Sequence, residues 1–81
     1  MPESNAARLR SLRKKSGLTQ KELAVLLGFT SDLAISRHER SKAVPHLLTA
    51  LGYEVIFGAK ISDQFSGLYQ SVESVTEQRL Q

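Results

Sequence analysis

At 81 residues, with 41% hydrophobic residues, no cysteine and a formal net charge of +3, the chain has room for one small domain around a modest core. The lack of cysteine excludes disulfide scaffolds, thiolate zinc sites and cysteine nucleophiles, and no apolar run approaches the ~20 residues that span a bilayer. The opening MPESNAARLRSLRKK has basic residues but no apolar segment behind them, so it does not read as a secretory signal, and a soluble cytoplasmic protein without a membrane partner is expected.

A first helix is expected over residues 5–16, with Asn5 as N-cap, Ala6, Leu9 and Leu12 as an i, i+3 stripe, and Gly17 as its stop. Leu18 turns inward, and Thr19-Gln20-Lys21-Glu22 fits a capping box, in which a threonine hydroxyl and a glutamate satisfy each other's backbone donors. The second helix buries Leu23, Ala24 and Leu27 and ends at Gly28, where a positive φ is expected. For the third, over residues 31–40, Ser31 is preferred to Thr30 as the cap, which puts Asp32 at the first helical position facing the positive end of the dipole. Ile35 is its clearest buried residue, flanked by Leu33 or Ala34.

Pro45 keeps Val44 out of the α region. A fourth helix over residues 46–57 places Leu47, Leu48, Leu51, Val55 and Ile56 at core spacings, and its interior Gly52 weakens it by roughly 1 kcal/mol against alanine. YEVIF inside it also reads as a strand; the Gly58 stop and the length of the apolar pattern favour helix. A Ser62 cap, a short helix through Phe65, Gly67 and a last helix over residues 68–79 complete five or six short helices.

Two short helices about a tight glycine turn are the geometry of a helix-turn-helix. The runs LRxLRxxxGLTQxELAxLLG (residues 9–28) and ISRxER (residues 35–40), followed by FGAKISDQF (residues 57–65), resemble the Cro and phage-repressor type of helix-turn-helix domain, the XRE family. The resemblance covers residues 5–66. It implies an all-α, lambda-repressor-like compact bundle whose third helix enters the major groove of double-stranded DNA. Residues 1–66 would then be the DNA-binding domain and 67–81 a C-terminal helix for dimerisation or partner binding.

That likeness assigns roles residue by residue. Gln20 resembles the family glutamine that anchors a phosphate at a helix N-terminus, the alternative being an ordinary polar residue; Lys21 lies beside it. Ser31, Asp32, Leu33 and Ser36 fall where bases are read, and Arg37 suits a bidentate pair with guanine O6 and N7, or else a phosphate clamp. Arg40 and Lys42 suit phosphates. Arg13 and Glu39 resemble a structural ion pair between the first and third helices. Two departures stand out: the turn between Gly28 and Ile35 is one residue longer than the commonest pattern, and Ser41 stands where relatives often have glycine.

Other chemistry finds little support. His38-Glu39 lacks the second histidine of HExxH, since Lys42 stands there and His46 lies beyond Pro45. Both histidines read as surface or loop residues, with no metal site, no cofactor and no catalytic group expected. Residues 1–42 carry nine Lys/Arg against four acids, and residues 43–81 two against four. Such a split fits one face meeting a polyanion, or simply a solvated basic helix. Leu68, Tyr69, Val72 and Val75 form a stripe that either packs back on the domain or makes a homodimer interface. The expected function is a homodimeric repressor on a two-fold-related operator. The alternatives are an antitoxin that also binds a protein toxin, and a protein-only adaptor.

Overall fold

The computed structural model describes residues 5–81, with side chains from Arg8 onward. Its regular structure is entirely helical: α1 (Asn5–Lys15), α2 (Gln20–Leu26), α3 (Leu33–Glu39), α4 (Leu47–Phe57), α5 (Ile61–Gln64) and α6 (Ser66–Leu80). The side chains of Asn5 and Ala6, expected as cap and stripe, lie outside the described residues. Leu9, Leu23, Ala24, Ile35, Tyr53 and Phe65 form the core, with Leu18, Leu27 and Phe29 packed against it. α2 starts on the expected capping box: Thr19 Oγ1 accepts from Glu22 N at 3.0 Å, and Glu22 Oε1 accepts from Thr19 N at 3.0 Å. Hydrogen bonding by the Thr19 backbone N–H, and then by the Thr19 side chain, holds the Glu22 carboxyl below its ordinary pKa.

The third helix departs from expectation at its start. Leu33 is its first residue and Asp32 the N-cap, with φ −89°, ψ 6° and no side-chain capping bond. Ser31, expected to cap, instead accepts from Leu33 N at 3.4 Å. The longer turn absorbs Ser31 and Asp32, so Asp32 is not a first-turn helical residue.

The first three helices end alike. After α3, Ser41 N donates to His38 O at 3.3 Å and Lys42 N to Arg37 O at 2.8 Å, the paired bonds of a Schellman motif. Equivalent pairs close α1 at Gly17 and α2 at Gly28. At the same place in α3 stands Ser41, with φ +57°. The serine follows the glycine path and carries a Cβ in the left-handed region.

α4 is helical throughout YEVIF, with His46 as its N-cap rather than its first residue. Its buried face differs from the expected one. Ala50 and Tyr53 are buried, whereas Leu47, Leu48, Leu51 and Val55 are exposed. The ring of Tyr53 selects the face: it meets His38 edge-on at 5.8 Å and stacks on Phe57 at 5.8 Å. Gly52 has a packing role, since a Cβ there would stand 2.5 Å from Cδ2 of Leu27.

His38 is buried rather than exposed, its Nδ1 2.8 Å from the Tyr53 hydroxyl. Burial pushes the Tyr53 pKa up, as does Glu39; burial pushes His38 down, as does His46. Burial thus disfavours the charged form of both side chains. Lys60, not Ser62, is the N-cap of α5, and Glu54 Oε1 accepts from Ile61 N at 3.0 Å. The last helix starts at Ser66 and includes Gly67.

Ser41 supplies a test. Ser41→Gly should match or exceed the parent in stability, because relief of the left-handed strain offsets the entropy glycine adds to the unfolded chain. Ser41→Val should lose about 1–2 kcal/mol, because a β-branched residue tolerates this conformation worse. Urea denaturation measures the order, and a valine variant as stable as the parent contradicts the assignment.

Candidate nucleic-acid interface

α3 is placed by its buried side. Ile35 is fully buried, and His38 and Glu39 are buried beside it. At ~100° per residue, Leu33, Arg37 and Arg40 stand on the opposite side, with Ser36 at its edge. Leu33 is 51% exposed, and Arg37 and Arg40 are exposed as well. Ser31 and Asp32 lie exposed in the preceding turn, and Lys42 is exposed just after the helix. One continuous surface thus carries the turn, the outer face of α3 and its exit loop.

Glu39 fixes the orientation of that surface. Its Oε2 accepts from Arg13 Nε at 2.6 Å, and its Oε1 from Arg13 Nη2 at 3.1 Å and from Gln20 Nε2 at 3.1 Å. Arg13 Nη1 also donates to Leu18 O at 2.9 Å. The bidentate pair joins α1 to α3 and tethers the chain entering α2. Hydrogen bonding to Glu39 raises the Arg13 pKa, with burial opposing it. Arg13 is therefore committed within the fold, as is one amide N–H of Gln20; that amide has a second.

Gln20 and Lys21 open α2 beside this cluster. A cleft of about 230 Å³ lies between α1, Gln20 and α3, lined by Arg10, Arg13, Gln20, Ser36, Glu39 and Arg40. Arg10 was not among the residues selected from sequence. It lies one turn before Arg13, a spacing that could have placed it at the same cleft.

Leu68, Tyr69, Val72 and Val75 of α6 are 40–57% exposed, and no residue of that helix is buried. The stripe is partly exposed, and α6 also meets α1 and α5. Among the described residues no cluster of three or more His, Cys, Asp or Glu side chains could hold a metal ion, and no helix is long and apolar enough to cross a membrane.

Removing Glu39 tests its positioning role. Glu39→Ala strands the Arg13 guanidinium and the Gln20 amide, and should cost about 2–4 kcal/mol. Lys14→Ala, on the exposed side of α1, should stay within about 0.5 kcal/mol. Urea unfolding of the two variants compares them, and equal stabilities would remove the network from its central place.

Residues 6–52, more than half of the chain, match the family described as helix-turn-helix domain. No curated protein and no solved structure matches the chain. The matched segment contains α2, the turn, α3 and the Arg13–Glu39 pair that orients them. The chain belongs to this helix-turn-helix family, and its fold is that of a DNA-binding domain.

Proposed function

We propose that the protein is a sequence-specific transcriptional regulator of the Cro and phage-repressor (XRE) type, a homodimeric repressor that blocks a two-fold-related operator by occupying it. The observation that carries this reading is the outer face of α3, where Leu33, Arg37 and Arg40 stand opposite buried Ile35, with Ser36 at the edge. Arg37 reads guanine through O6 and N7, and Leu33 contacts a thymine methyl. Asp32, held in the turn, accepts from cytosine N4 and repels phosphates. Gln20, Lys21, Arg40 and Lys42 supply the backbone affinity, with Arg10 beside them at the cleft. Ser31 approaches the duplex from the turn. The reading assigns no catalytic group, metal or cofactor to the chain, and it has the protein working in the cytoplasm.

Two helices of seven residues offer limited contact, so two copies on related half-sites strengthen the complex. The partly exposed α6 stripe supports such a dimer, with recognition helices roughly 34 Å apart. The same stripe also suits an antitoxin, in which α6 holds a toxin.

Arg37→Ala should cost roughly 1–3 kcal/mol on the selected operator and much less on random duplex. Equal losses on both would make Arg37 a phosphate contact. Parent binding should also weaken steeply with salt, with a log–log slope of roughly −0.9 for each phosphate neutralised. A flat salt response defeats every DNA-based reading. For α6, Val72→Glu should shift the sedimentation mass from two copies to one. A parent chain that is monomeric alone, but co-purifies with the product of a neighbouring gene, favours the antitoxin.

A further inference from the structure

The outer face of α4 is apolar and uncovered. Leu47, Leu48 and Val55 are 70%, 83% and 84% exposed, and Leu51 joins them at 42%. Their spacing of i, i+1, i+4 and i+8 is that of one side of a helix whose apolar stripe meets another element. That side lies about half a turn from Tyr53, the residue through which α4 meets α3. An occupant of the α4 face therefore leaves the outer face of α3 free.

From the structure we infer that a second copy of this chain covers the α4 face, and that the homodimer interface includes α4 together with α6. This inference rests on the homodimer reading above and supplies a surface that α6 alone does not. The exposed branched and aromatic side chains of the two helices present on the order of 500 Å² of apolar surface. That is the apolar share of the roughly 800 Å² each partner buries in a standard interface. An apolar notch of about 190 Å³ connects the two stripes, with Val44, Pro45 and Leu47 on one side and Leu68 on the other.

Charge permits a second copy at α4 and disfavours a lipid surface there. The only charged residue of α4 is Glu54, whose carboxylate is turned onto Ile61 N at 3.0 Å. Two copies related by a two-fold axis thus bring no like charges together across α4. A lipid surface calls for a helix rimmed with lysine or arginine, and α4 has neither. The apolar face explains why this small chain exposes leucines that its own core does not use.

The test uses the full chain and sedimentation equilibrium over a range of concentrations. A Leu48→Glu/Val55→Glu variant should raise the dimer dissociation constant roughly 100-fold or more. Its helical circular dichroism should stay unchanged, because both positions are exposed. A Leu48→Gln/Val55→Gln variant introduces no charge, and it should weaken the dimer in the same direction. A parent dimer that both variants leave intact overturns the α4 interface while the homodimer reading survives through α6. A parent that is monomeric overturns both.

Discussion

A buried carboxylate is acceptable only where donors surround it, and Glu39 has three: two from Arg13 and one from Gln20. This requirement draws α1, the start of α2 and the end of α3 to one point. A buried ion pair of this kind adds little net stability over apolar packing, but losing one partner is costly, so it selects a single arrangement. The selected arrangement turns Ile35 and His38 inward and Arg37 outward. A rotation of α3 by one residue, ~100°, would separate Glu39 from its donors and carry Arg37 away from the surface it shares with Leu33 and Arg40. The outward face of α3 is therefore a consequence of what its inner face must satisfy.

How much of this was legible in sequence depends on whether one residue or several decided the outcome. The Thr19–Glu22 box is local chemistry complete within four residues, and the glycine stops at Gly17 and Gly28 are similarly local. The pairing of Arg13 with Glu39 spans 26 positions and was suggested by family resemblance, not by any local signal. The start of α3 was misplaced because Thr30, Ser31 and Asp32 are all competent caps, and the longer turn does not say which of them ends it. Within the candidate interface, the sequence singled out Arg37, Arg40 and Lys42 but passed over Arg10, which becomes relevant only once α1 lies beside α3.

α4 shows a different limit. Apolar residues occupy nearly its whole circumference, from Leu47 through Phe57, so periodicity alone could not tell which side would be buried. The choice fell to shape. Tyr53 fits between His38 and Phe57 with its hydroxyl satisfied, and the missing Cβ of Gly52 leaves room for Leu27. Leucines at 47, 48 and 51 could not serve both sides, and they were left outside. Ser41 follows the same logic: the Schellman bonds at the end of α3 fix its backbone, and the side chain tolerates the result.

The leftover apolar surface and the division of charge then fit one arrangement. Basic residues concentrate in α1 and from Arg37 to Lys42 at the end of α3, while the half containing α4 and α6 is acidic and apolar. In the proposed dimer, association through the second half leaves the basic half of each copy open to the duplex. Each bound half-site raises the effective concentration of the other recognition helix at its own site. Two-fold symmetry passes from protein to DNA by this route, because an isologous contact on one side fixes the separation of two identical readers on the other. A short recognition helix gains from it most: where each α3 reaches few bases, discrimination comes from requiring two such readings at one fixed spacing.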